Sequence, residues 1–173
     1  KHKLVIHGKV RQPLEFTLDT LARYPMVTRK AFVECAGNSA PLFSNEPMQL
    51  TCGQIHGLVS NAEWTGVKLA TLLNLAGIRD TARYVAFFPF DINWDSLDIY
   101  EALHPQTLLA YGMNGAELPM EHGAPLRLRV PRQLGYKSVK YLSRIYVTDS
   151  LRGIGSGKGS ISPDLGYSWY AGI

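Results

Sequence analysis

Strand-like and helix-like stretches do not alternate regularly along this chain, and no repeat or linker divides it. A doubly wound parallel sheet needs that alternation, so the pattern predicts a mixed α+β fold of largely antiparallel sheets with short helices. At 173 residues the chain suits a single domain with a sizeable core. Its 46% hydrophobic and 18% charged residues are those of a globular protein rather than a disordered one. No apolar run approaches the ~20 residues that cross a membrane. The first ten residues, KHKLVIHGKV, lack the apolar segment and cleavage site of a signal peptide, as a mature exported protein also would.

Residues 3–16 alternate polar and apolar around Gly8 and Pro13, which predicts an antiparallel pair, and Thr17 can cap a short helix stopped at Pro25. Residues 29–35 read as a buried strand, and residues 39–57 as an ordered surface excursion with little periodicity. Thr65-Gly66 suggests a turn. After it Leu69, Leu72, Leu73 and Ala76 recur at helical spacing up to Gly77, a C-terminal stop. Residues 83–90 read as a strand, 96–103 as a short helix, and 108–113 as a strand entering a primed hairpin turn at Asn114-Gly115. Residues 144–148 read as the last strand, followed by a Gly- and Ser-rich tail laid over the body. Within that tail GIGSGKG lacks the spacing of a phosphate loop and reads as a flexible loop.

The two cysteines, Cys35 and Cys52, define no disulfide framework, and no CxxC or CxxCH occurs for a redox dithiol, a zinc ribbon or a covalent haem. Cys35 ends an apolar run and precedes Ala36-Gly37-Asn38, which predicts an exposed loop. A thiolate there serves as a nucleophile or as a soft metal ligand, and a small packing residue is the plainer alternative. Cys52 reads as packing. Net charge is +4, but its distribution says more: six Lys/Arg and no Asp or Glu lie between His122 and Thr148. Leu126, Leu128 and Val130 alternate there with Arg127 and Arg129, which predicts a strand with one apolar and one doubly cationic face. An anion is the expected partner. Nucleic acid is a poor fit to six cations without interleaved exposed aromatics.

Three blocks fall into one pattern: CAGN at 35–38, HGLVSNAEWTGVKLATLL at 56–73, and LLAYGMNGAELPMEHGAPLRLRVPRQLGYKSVKYL at 108–142. Together they resemble the molybdenum-cofactor domain of the sulfite oxidase family, nearest in kind to the bacterial sulfite and sulfane dehydrogenases. The resemblance implies the sulfite-oxidase molybdopterin-binding fold over residues 1–173, and a molybdenum–molybdopterin cofactor with Cys35 as the protein's metal ligand. It implies Tyr111 as the active-site phenol, and Asn38, His56, His122, Arg127, Lys137 and Lys140 as cofactor-binding residues. A core histidine is as good a reading of His56, and Trp64 reads as packing. The implied reaction is oxo transfer at sulfur on a small sulfur-containing substrate, with electrons passing to a separate cytochrome. A reductase of methionine sulfoxide type is the alternative of the same fold. A periplasmic location is implied as well. A second class stays open: a non-catalytic binding domain of the same fold, or a metal-free cysteine enzyme.

Two departures are visible. Animal and plant sulfite oxidases carry arginines just after CAGN, where this chain has Ser39 and Ala40. The family also extends upstream of the segment matching residues 3–8, so a trimmed or partial chain is expected.

Overall fold

The computed structural model describes residues 1–38, 40–46 and 49–173. β1 (Leu4–Gly8) and β2 (Leu14–Phe16) pair antiparallel, and Thr17 caps α1 (Leu18–Leu21) by accepting a hydrogen bond from the Thr20 amide at 3.2 Å. β3 (Met26–Glu34) leads through the Cys35 loop and α2 (Cys52–His56) into β4 (Val59–Lys68). There follow α3 (Leu69–Ala76), β5 (Tyr84–Pro89), β6 (Asp95–Asp98), α4 (Ile99–Leu103), β7 (Leu108–Met113), β8 (Ala116–Glu117), β9 (Arg127–Arg129) and β10 (Leu142–Thr148).

Two sheets result. One runs β2-β1-β10-β5-β6, with β1 and β10 parallel and the other pairs antiparallel. The other runs β3-β4-β7-β8, and β9 pairs with β7 alongside β8. Inward residues of both sheets, among them Ile6, Val85, Ile145, Val67, Leu109 and Leu128, share one buried cluster with Leu69, Leu72, Leu73 and Ala76 of α3. The helical spacing of those four residues therefore buries one stripe of α3. Gly77 closes the helix at φ +71°, a left-handed conformation that other residues reach at a steric cost.

The expected elements appear with four differences. Residues 26–34 form a strand that alternates exposed and half-buried, because β3 is the outermost strand of its sheet. Thr65-Gly66 is no turn: β4 runs through it, and the register against β7 slips there so that Tyr111 is the extra residue of a bulge. A Cβ on Gly66 would sit 2.0 Å from the Leu109 carbonyl oxygen, so only glycine lets the two strands approach. β6 precedes α4 where a helix alone was expected. Cys52 begins α2, a helix with no buried residue, and is exposed rather than packed. The hairpin turn is as read, with positive φ at Asn114 (52°) and Gly115 (77°).

Candidate cofactor cavity

A cavity of about 790 Å³ opens between the Cys35 loop, the start of β4, the segment from His122 to Lys140 and the C-terminal tail. That volume lies within the ~300–1,000 Å³ typical of sites for small organic ligands. Cys35, Trp64, His122, Arg127, Ser138 and Lys140 all line it.

Backbone bonds and one side chain fix the Cys35 loop. The Cys35 amide donates to Leu58 O at 3.0 Å, and the Asn38 amide donates back to Cys35 O at 2.9 Å. Asn38 accepts from the Leu58 amide at 3.2 Å and donates through Nδ2 to Glu34 at 3.0 Å. Asn38 is thus the clamp that ties the loop to β4, and it is not part of the cavity wall. The thiol itself is exposed, and the Gly37 amide donates to its Sγ at 3.4 Å.

Arg127 supplies the opposite wall. It is 4% exposed and forms no ion pair among the described residues. Its nitrogens donate to the carbonyls of His122 (2.7 Å), Ser138 (2.9 Å) and Leu128 (3.4 Å), and the guanidinium lies 5.0 Å from the Trp64 ring centre. Burial, then the neighbouring Arg129, pushes its pKa down to about 10, so the group keeps its charge at neutral pH. Lys140 donates to Glu121 O, and burial together with Arg127 lowers its pKa from the usual lysine value. Arg127 is thus held by carbonyls rather than by a carboxylate; Asp91 and Asp95 also line the cavity, but Asp95 is paired with Lys137, so an anionic ligand would offset the buried charge of Arg127.

Not every expected residue arrives here. His56 ends α2, exposed and outside the cavity wall. Tyr111 is half-buried on the β7 bulge, packed against the main core, and burial raises its pKa. It too is outside the wall, although Met113, two residues on, belongs to it. Lys137 turns inward: it is 1% exposed and bonded to Asp95 at 2.5 Å, Ser96 O at 2.6 Å and Trp169 O at 2.9 Å. Its charge is paired with a buried carboxylate, and it is outside the cavity wall. The Arg127–Arg129 face is likewise no solvated basic face, since both guanidinia are buried about Trp64. Ser39 lies outside the described residues, and Ala40 starts a short 3₁₀ turn, Ala40–Phe43.

Residues missed in the sequence complete the wall. Tyr136 stands within the GYKSVK block and donates its hydroxyl to Ser168 O at 2.5 Å. Burial and the charges of Asp95 and Tyr167 push its pKa up to about 12. Ile161, Ser162, Leu165 and Tyr167 come from the aperiodic tail, which offered no signal beyond its aromatics.

A mixed, mainly antiparallel α+β fold whose larger described cavity is lined by an exposed thiol and by Arg127 and Lys140, neither in an ion pair among the described residues, suits a cofactor-binding domain for an anionic, metal-bearing group. The chain belongs to the oxidoreductase molybdopterin binding domain family, whose model matches residues 1–153. It is 32% identical over 170 residues to the putative protein-methionine-sulfoxide reductase subunit YedZ1 of Azospira oryzae, covering 98% of this chain and 55% of that protein. Mitochondrial sulfite oxidase of Rattus norvegicus is 34% identical over 146 residues, 79% of this chain and 27% of that one. Among solved structures, the sulfane dehydrogenase SoxCD of Paracoccus pantotrophus superposes with a TM-score of 0.81 at 32% identity, over 91% of this chain and 41% of that chain. The chain thus spans about half or less of the length of these relatives.

The cavity suits the family's molybdopterin cofactor. A soft thiolate suits a high-valent metal, and cations without a carboxylate partner suit a phosphate tail. Among the described residues no group of three or more His, Cys, Asp or Glu could hold a metal, so the cofactor must bring ligands of its own.

Proposed function

We propose that this chain is the catalytic domain of a molybdenum oxidoreductase that oxidises sulfite or a sulfane-sulfur compound by oxo transfer and passes electrons to a separate cytochrome. The observation that carries the reading is one cavity with the exposed Cys35 thiol on one side and the carboxylate-free Arg127 on the other. Bound there, molybdopterin supplies a molybdenum centre able to exchange an oxygen atom and an electron pair with sulfur.

The chain's own groups do the rest. Cys35 Sγ would hold the metal, and the Gly37 amide, which donates to that sulfur, would help orient it. Arg127 and Lys140 hold the anionic tail, and His122, whose carbonyl orients Arg127, closes the pterin edge. Tyr136 and the tail residues Leu165 and Tyr167 keep water from the buried part of the cavity. Tyr111, placed on a bulge that turns a side chain out of the regular pleat, is proposed as the hydroxyl donor to the substrate's oxyanion. A separate cytochrome as electron acceptor is part of this reading. A periplasmic site of action belongs to the same proposal; among the described residues no helix is long and apolar enough to cross a membrane.

The match to the sulfoxide reductase subunit over 98% of this chain favours one alternative, the reverse oxygen transfer from methionine sulfoxide. Paired kinetics separate the two. Sulfite with cytochrome c should turn over faster than methionine sulfoxide with a reduced viologen, and the opposite order selects the reductase.

A further inference from the structure

A second cavity, of about 240 Å³, lies across Trp64 from the first, since the indole belongs to both walls. Its polar lining comes from Thr28, Arg29 and Lys30 of β3, from Gln106 before β7, and from Arg129 of β9. Two guanidinia, those of Arg29 and Arg129, therefore meet there on the Trp64 face of β3, whereas Thr28 and Lys30 belong to the opposite face, paired across the strand with Thr65 and Glu63; no carboxylate lines the space. Arg129 is 1% exposed. Its terminal nitrogens donate to the carbonyls of Phe32 and Val130 and to the Ser138 hydroxyl, which fixes the guanidinium in place. Its Nε is left over. That atom and Nε of Arg29 are both buried, and neither has a hydrogen-bond partner among the described residues. Buried donors without acceptors are uncommon, and two on charged groups around one small cavity call for a shared acceptor.

The ligand must be small, negative and rich in acceptors. The cavity is smaller than the ~300–1,000 Å³ that take whole organic molecules, and its donors converge from two strands rather than along one edge. We propose that this second cavity binds a small tetrahedral oxyanion of the sulfate or phosphate type, held by Arg29 and Nε of Arg129 with Gln106 as a neutral donor. Nothing in this site involves the cofactor, so it stands or falls separately from the molybdenum reading.

The test is calorimetric titration of the purified protein with sodium sulfate and, separately, with sodium phosphate, against sodium chloride at matched ionic strength. The tighter of the two names the source of the anion. Arg29→Gln removes one unpaired donor from a half-exposed side chain, and Gln106→Leu is a second variant for use if the first folds poorly. Lys140→Gln marks the first cavity. Saturable binding weakened roughly tenfold by Arg29→Gln, or severalfold by Gln106→Leu, and changed less than about twofold by Lys140→Gln, is the expected result. Neither anion binding above chloride would overturn the proposal. So would binding that resists both Arg29→Gln and Gln106→Leu, or that falls as much with Lys140→Gln as with them, since the anion would then sit in the first cavity.

Discussion

Arg127 keeps positive charge where burial opposes it, and on the proposed function an anionic ligand held by Arg127 and the exposed Lys140 would offset that cost. Binding an anion selects the protonated amine of Lys140, whose pKa is lowered from 10.5 by burial first and by Arg127 second. Affinity for the cofactor's phosphate is therefore full below that lowered pKa and falls as pH rises through it. Cofactor retention followed against pH should begin to decline below 10.5, and Lys140→Gln should flatten the decline; a wild-type curve level up to 10.5 would contradict this. Tyr111 allows a second test. Burial raises its pKa, so the hydroxyl carries its proton at neutral pH. Tyr111→Phe keeps the ring on the core and should lower kcat/KM roughly 10- to 100-fold without moving Tm. Full activity would assign the ring to packing alone. At this scale the sequence marked residue types better than destinations. Cys35, His122, Arg127 and Lys140 reach one cavity from widely separated positions, whereas Lys137, three residues from Lys140, turns inward to Asp95. Nothing local distinguishes the two lysines; β6, packed beneath, decides it.

Elements were legible where one periodicity ruled and illegible where long-range pairing did. The stripe of α3 and the Asn114-Gly115 turn are local signals, and both stand as read. β6 is Asp-Ser-Leu-Asp, poor in strand formers, and becomes a strand because β5 pairs with it and Lys137 neutralises its buried aspartate. The β4–β7 bulge was misread as a turn because glycine marks both, and only the strand opposite shows which. Gly66→Ala tests that correction. Its methyl group would meet Leu109 O and, at 2.8 Å, Ala110 Cα, both backbone atoms of the paired strand. Chemical denaturation should show a loss of about 1–3 kcal/mol or more; an unchanged midpoint would mean the strands are not packed as described.

The molecule as a whole is two sheets around one core, with its cavity at their margin and the C-terminal tail as part of the wall. The family match ends at residue 153, yet the tail beyond it supplies cavity residues. A buried network holds it down: Asp95 accepts from Lys137 and, at 2.8 Å, from Ser160, while Trp169 donates to Ser96 at 2.9 Å. Burial pushes the Asp95 carboxyl above the usual carboxylate range, and the Lys137 contact opposes that shift. Lys137→Met leaves the carboxylate buried and unpaired, and should cost about 3–5 kcal/mol. The same variant should expose the tail to proteolysis; wild-type stability and resistance would remove this network from the account. Aperiodic, Gly-rich sequence carries no sign of such anchoring, which is why the tail's share in the cavity could not be read from the chain.

The central claim is that Cys35 holds the metal of a molybdopterin bound in this cavity. Its most direct test is molybdenum and pterin content, measured on wild type and on Cys35→Ser purified from a host that makes the cofactor. The account predicts about one molybdenum per wild-type chain with an equal amount of pterin. In Cys35→Ser the fold and the pterin should largely remain, while turnover and the metal–thiolate absorption are lost. Wild type that folds in such a host and carries neither molybdenum nor pterin, or a serine variant with unchanged turnover, would contradict it.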